Sequence, residues 1–308
     1  MKHFICLLLT GITINCAHAQ TLPVKYEWKV TLTVMDETGQ PVAGAKASVG
    51  YFSESRPASM DGLTDTNGIF GASHSAHSGI LGFAAEKAGY YTTREPSYDL
   101  GFTYDPAKWN PTQTIVLKKI GKPTAMYAKR LNTHVPVLDK PVGFDLMAGD
   151  WIAPYGKGKE TDMIFTVHLD QRAESDFDYK LVVSFPNPGD GIQLFGTNTF
   201  RFREGSELRS PHEALENGYE PQWVKTQSQK PGEPSKNGRD ENLIYFFRVR
   251  TVLDENGNVK SALYGKIYGD FMRFAYYLNP TPNSRNVEFD PKQNLMTNLK
   301  SLEGVDAP

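Results

Sequence analysis

Only two cysteines occur in the 308 residues, Cys6 and Cys16, both within the first sixteen positions. The rest of the chain can use no disulfide, no thiolate nucleophile and no cysteine–zinc site. No apolar run reaches the roughly 20 residues of a membrane-spanning helix, so no transmembrane segment is expected. An excess of charge of one sign is also lacking. The 33 basic and 35 acidic residues leave a net −2, which gives no field to attract nucleic acid or an anionic membrane. Catalytic signatures are missing too. There is no Gly-x-Ser-x-Gly, no His-x-x-Glu, and no Walker spacing around YGKGK at 155–159. No catalytic residue, metal ligand or cofactor is expected.

What is present begins with a leader. Lys2 and His3 make a positive start, an apolar stretch follows from Phe4, and Ala17-His18-Ala19 is a small-x-small cleavage site. Residues 1–19 thus read as a signal peptide, with the mature chain starting at Gln20. A lipid anchor on Cys16 is the rival, but Asn15 stands where lipid attachment wants a small residue. The expected location is outside the cytoplasm, periplasmic or extracellular.

Residues 26–35 read YEWKVTLTVM. Trp28, Val30, Leu32 and Val34 alternate with polar residues, the period of a half-buried strand. DETGQPVAGAKASV at 36–49 supplies a turn and resumes the alternation. TDTNGIF at 64–70 is a second turn, and a strand at 80–85 runs on to Lys87, Gly89 and Tyr90. A last strand is expected at 112–119. Short strands with a turn every ten or so residues imply a sandwich.

These three motifs resemble those of the carboxypeptidase regulatory-like domain. Asp36, Gly39, Pro41, Val42, Gly44, Ala45 and Val49 carry the first. Thr64, Asp65, Gly68 and Phe70 carry the second, and Lys87, Gly89 and Tyr90 the third. The resemblance covers about residues 26–120 and implies a transthyretin-like, Ig-like β-sandwich at 24–121. It implies a fold and no activity, because the motifs are turn chemistry. The chain departs from the pattern by an aromatic insertion at 96–111.

Residues 120–123 (IGKP) read as a joint kept solvated by Lys118, Lys119 and Lys122. Beyond it, 124–300 read as a second, larger β-domain, a sandwich or jelly-roll-like unit, with 301–308 as a tail. Strands are expected at 142–147, 162–169, 179–185, 192–202, 243–253, 259–268 and 271–278. DENGN at 254–258 is a hairpin turn. A helical turn is expected at 210–216, with Ser210 as N-cap and Pro211 at the first position. Residues 228–240 should be a mobile loop. FDLMAGDWIAPYGKG at 144–158 and YYLNPTPNSRNVEFDP at 276–291 resemble a group of uncharacterised exported bacterial proteins, which implies export and no function.

Other constellations are better explained without chemistry. His74 and His77 lie three apart, but in a Ser/Gly-rich stretch with no third ligand. The Asp65-Thr66-Asn67-Gly68 turn has Ala76 where a calcium loop needs its twelfth-position Glu. Asp176 and Asp178 would share one face of a strand and read as solvated. The carboxylates of the second domain could support sugar hydrolysis, but nothing in their spacing selects a pair.

Aromatics form the one suggestive pattern. One set (Tyr90, Tyr91, Tyr98, Phe102, Tyr104, Trp109) lies in and beside the insertion. The other, Trp151, Tyr155, Tyr219 and Trp223, lies in loops of the second domain and is the expected ligand-binding face. Such rings can stack on sugars, and the reading preferred to that is that they plug the ends of the sandwich or the seam between the domains. The expectation is a non-enzymatic binding or structural protein of the bacterial cell envelope, contacting a protein or a polysaccharide. A carbohydrate-active enzyme with an unidentified carboxylate pair is the alternative.

Overall fold

The computed structural model describes residues 25–52, 57–101, 103–132, 134–197, 205–234 and 242–308. The leader, both cysteines, Phe102 and the end of the strand expected at 192–202 lie outside them. The chain is all-β, built as stacked sheets.

In the N-terminal part the strands are β1 (Tyr26–Asp36), β2 (Lys46–Phe52), β3 (Ala58–Leu63), β4 (Ile69–Ala76), β5 (Ile80–Glu86), β6 (Thr93–Asp99) and β7 (Thr112–Leu117). One sheet runs β4-β1-β7, with β1 and β7 parallel, and faces a second built on β6-β5-β2-β3. The alternation read from the sequence is the packing. Trp28, Val30, Leu32 and Val34 of β1 meet Ala47 and Val49 of β2, Leu81 and Phe83 of β5, and Ile115 and Leu117 of β7. Burial of this alternate set is the main favourable term for a two-layer fold.

The turn motifs work by side-chain capture of backbone donors. The Asp36 carboxylate accepts from the Thr38 hydroxyl at 2.6 Å and the Gln40 N–H at 3.0 Å, and these bonds hold its pKa down at about 2. Buried Thr64 accepts from Ala45 N–H at 2.9 Å and donates to the Val42 carbonyl at 2.6 Å, stapling the first turn to the second. Gly68 adopts φ +74°, and a Cβ there would lie 2.4 Å from the Val34 carbonyl oxygen. The insertion holds β6 and the short helix α1 (Pro106–Trp109), capped by Asp105. Its Tyr104 stacks on Tyr26 at 4.6 Å and meets Trp109 edge-on, closing one end of the sandwich.

The C-terminal part comprises β8 (Thr124–Asn132), β9 (Val142–Asp145), β10 (Asp150–Trp151), β11 (Met163–Ala173), β12 (Asp176–Ser184), β13 (Gly191–Thr197), β14 (Gly205–Ser206), β15 (Gln222–Gln229), β16 (Leu243–Leu253), β17 (Val259–Gly269), β18 (Arg273–Leu278) and β19 (Phe289–Asn294). A five-stranded sheet, β10-β9-β11-β12-β15, packs against a six-stranded sheet, β13-β16-β17-β18-β8-β19. The back of the larger sheet is also covered. Segments around Ala214 and Val287 and the chain end at Val305 close over Phe246, Tyr264 and Tyr277. The last eight residues, expected as a tail, therefore form part of the packing. Tyr277 donates to the Ala307 carbonyl at 3.2 Å.

Two local expectations fail for tertiary reasons. Residues 210–216 form no helix. The Ala214 N–H bonds the Arg285 carbonyl at 2.7 Å, so the segment pairs with a distant one instead of with itself. Ser228 and Gln229 belong to β15, paired along its length with β12, and are not loop. The joint is also not simply solvated. Fully buried Glu288 accepts from Tyr91 hydroxyl at 2.6 Å, Gly121 N–H at 2.8 Å and Lys122 N–H at 2.6 Å, tying the two parts together. Strand β14 adds to the N-terminal sheet at the edge of β6.

Candidate functional site

The segment from β9 to β11 is held by four acids and one arginine. Asp145 ties its two limbs together. One carboxylate oxygen accepts from the Met147 and Ala148 N–H groups, each at 3.0 Å, and the other from Lys159 at 3.0 Å and Glu160 at 3.2 Å. Burial pushes this carboxyl up, but the backbone donors outweigh it and leave it below the ordinary range. Asp150 repeats the device across the tip, accepting from Trp151 and Lys157 N–H at 2.9 Å each.

Arg250 latches the base. It sits in β16 at an irregularity between Val249 and Val252, with φ +53°. That left-handed backbone is costly for a long side chain. Its guanidinium spans Asp162 at 2.8 and 3.1 Å and reaches Glu160 at 2.9 Å and Asp145 at 3.4 Å. Burial raises the Asp162 carboxyl above its ordinary value despite this partner. Opposed shifts on neighbouring carboxyls are the pattern of an acid–base pair. Here the oxygens are engaged: Asp162 holds Arg250 and the Leu146 N–H at 2.8 Å, and Asp145 holds four backbone donors. The pair organises the loop.

The four aromatics expected at the binding face do not share one surface. Trp151 is half-buried, edge-on to Phe144 at 5.1 Å and Phe165 at 5.4 Å. Trp223 packs on Phe271 at 4.8 Å, and Phe271 contacts Phe165 at 6.2 Å. Both tryptophans thus belong to one aromatic chain between the sheets. Tyr219 lies on the opposite face of the six-stranded sheet. Its hydroxyl donates to the Leu215 carbonyl at 2.6 Å, and Arg248 sits 4.9 Å over its ring. Tyr155 stands outward, 44% exposed.

Neither of two open surface depressions, one over β11 and β12 and one beside β8 and the chain end, is lined by any of these four rings. One, of about 390 Å³, lies on the outer face of the five-stranded sheet over His168, Lys180 and Thr226. Asp178 at its edge accepts from Ser228 at 2.6 Å, Arg172 at 2.7 Å and Lys230 at 3.1 Å, so it is part of a charge ladder along the strands. The Ser228 hydroxyl and then the two cations hold its carboxyl well below the ordinary range. Among the described residues no three His, Cys, Asp or Glu side chains are grouped to hold a metal, and no helix is long and apolar enough to cross a membrane. His74 packs its ring against Tyr51 at 5.6 Å.

Sequence reasoning named Trp151 and Tyr155 but not the residues that hold them. The one local signal for those was Asp145 and Asp150 flanking the tight Met147-Ala148-Gly149 turn, a spacing that suits aspartates bonding nearby backbone.

No protein-family model matches the chain, and no curated protein does. Among solved structures, a streptococcal ancillary pilin aligns at TM-score 0.23 and 12% identity over 72% of this chain and 52% of the pilin. The chain thus spans about half the pilin's length. A DUF3823 family protein from Parabacteroides merdae aligns at TM-score 0.20 and 9% identity, over 86% of this chain and 98% of that one. At these scores neither likeness bears on activity or partner.

Proposed function

We propose that this chain is an exported, non-enzymatic binding or structural protein of the bacterial cell envelope. It contacts a polysaccharide or a protein through the tip of the segment between β9 and β11. The leader read at residues 1–19 supports export. The single observation that carries the binding role is the cost of the loop: a left-handed Arg250, a latch on Asp162 and two aspartates spent on backbone donors hold a tip whose outermost ring, Tyr155, is left to solvent. Local strain backed by surrounding structure is characteristic of functional positions. Loops on rigid sandwiches carry binding for the same reason, since little ordering entropy remains to be lost. In this reading Trp151 and Trp223 support the surface from within, Tyr155 meets the ligand, and Tyr219, on the far face of the six-stranded sheet, has no part in it.

Co-sedimentation with isolated bacterial envelopes tests it. The native chain is expected to pellet with the envelopes, and Tyr155→Ala to stay in the supernatant with an unchanged melting temperature. If Tyr155→Ala pellets as the native chain does, the loop is not the contact surface.

A further inference from the structure

The alternation Tyr155, Gly156, Lys157, Gly158, Lys159 has a meaning in three dimensions. A Cβ on Gly156 would lie 2.4 Å from the Trp151 carbonyl oxygen, and one on Gly158 2.8 Å from that of Asp150. Both glycines therefore lie too close against the other limb of the loop to carry a side chain. Tyr155, Lys157 and Lys159 are all exposed. No ion pair joins either lysine to a carboxylate among the described residues, because the nearby acids are engaged elsewhere. Asp145 and Asp150 hold backbone N–H groups, and Glu160 pairs with Arg250 at 2.9 Å. The result is one exposed ring and two exposed ammonium groups within a five-residue strip of chain, 155–159, set on a loop whose limbs are already tied down by Asp145 and Asp150.

We propose that this strip binds an acidic polysaccharide, one bearing uronate or sulfate groups. The Tyr155 ring lies on the apolar face of a sugar, and Lys157 and Lys159 meet the anionic substituents. This rests on the reading of the same loop as the contact surface. An acidic peptide would satisfy the lysines but leaves the ring without a matching flat apolar face. An anionic membrane would want several apolar side chains beside the lysines, and within 155–159 Tyr155 is the one ring that is exposed. The chain as a whole is at −2, so the attraction is local to the strip.

The test uses the full chain on immobilised polygalacturonate, dextran sulfate, neutral dextran and polyglutamate. Retention is expected on one or both anionic polysaccharides and not on neutral dextran. The double variant Lys157→Glu/Lys159→Glu should bind about tenfold more weakly, and added salt should shrink that difference. Tyr155→Ala should weaken polysaccharide binding about fivefold and leave any binding to polyglutamate unchanged. Melting temperatures matching the native chain show that each variant is folded. Equal retention on dextran and dextran sulfate, a preference for polyglutamate insensitive to Tyr155→Ala, or no retention on any matrix overturns the proposal. Of these, neutral-dextran binding lost in Tyr155→Ala rejects the acidic ligand while keeping the loop as contact surface. Envelope binding that survives Tyr155→Ala rejects both.

Discussion

The two sandwiches bury their sheets differently. In the N-terminal one each sheet has a wet face. In β1 the apolar side chains Trp28, Val30, Leu32 and Val34 are buried while Lys29 and Thr31 between them are exposed. In the C-terminal one the six-stranded sheet is covered on both sides. The run from Ala262 to Gly269 in β17 is buried without interruption, charged Lys266 included. A one-sided sheet can leave its polar groups in water. A two-sided sheet must find partners for each one inside, and it is there that the Arg250 latch and the cation–aromatic contacts of Lys266 occur.

The sharpest way to break that contrast is to remove the latch. Arg250→Met leaves Asp162 buried with only the Leu146 N–H as partner, and an unpaired buried carboxylate costs about 3–5 kcal/mol. Calorimetry should show the C-terminal part melting earlier, with the N-terminal strands keeping their amide-exchange protection. If both parts lose stability equally, the latch is not confined to the C-terminal fold.

In the N-terminal part the equivalent weakness is backbone geometry. Gly39 and Gly68 have nearly the same φ, +77° and +74°, but only Gly68 lacks room for a Cβ. Gly39→Ala should cost about 1 kcal/mol for the left-handed backbone, and Gly68→Ala about 3 kcal/mol because the carbonyl clash adds to it. Urea denaturation of both variants checks the ordering. Equal losses would mean that φ alone sets the requirement.

Lys266 sharpens the comparison with the opposite sign. Its ammonium position lies 5.0 and 4.8 Å from the Tyr268 and Tyr277 ring centres, and its hydrogen bond to Ser210 is long at 3.4 Å. Burial drives its pKa below the ordinary lysine value. Between the lowered folded value and the unfolded value of about 10.4, the unfolded chain binds more protons, so stability rises with pH across that window. Lys266→Met should stabilise the protein by about 1–2 kcal/mol at neutral pH, and the gain should fade as pH approaches 10. Denaturation at pH 7 and pH 9.5 measures this. A loss of stability at pH 7 would mean that the amine, and not its stem, holds the seam with Ser210 together.

The same contrast decides how much was legible in advance. One-sided strands such as β1, β2 and β5 announce themselves by period two. β16 and β17 coincide with the strands expected at 243–253 and 259–268, although two-sided burial erases the alternation in β17. β3 (ASMDGL) and β8 (TAMYAKRLN) carry too little apolar contrast to stand out, and the polar end of β15 merged with the loop that follows. The Ser210-Pro211 start has the side chains of a helix cap, but the segment at Arg285 and Asn286 claimed the backbone that follows. The α1 cap, Asp105-Pro106, was hidden within the aromatic insertion. At the loop, Tyr155 could be named because it is local. Arg250 could not, because its partners lie 88 and 105 residues away and nothing in spacing links them.

The smallest expected effect separates two rings of similar exposure. Tyr104 is 38% exposed and Tyr155 44%. Tyr104 stacks on Tyr26 at 4.6 Å and meets Trp109 at 5.6 Å, so Tyr104→Ala removes two ring contacts and uncovers the end of the N-terminal core. That should cost about 1–2 kcal/mol. Tyr155 makes no ring contact among the described residues, and its loop is fixed by Asp145, Asp150 and Arg250 without it. Tyr155→Ala should change stability by less than about 0.5 kcal/mol. Paired thermal melts decide the matter. If Tyr155→Ala is the more damaging, its ring is a structural plug like Tyr104, and the C-terminal loop has no more claim to a ligand than the N-terminal insertion.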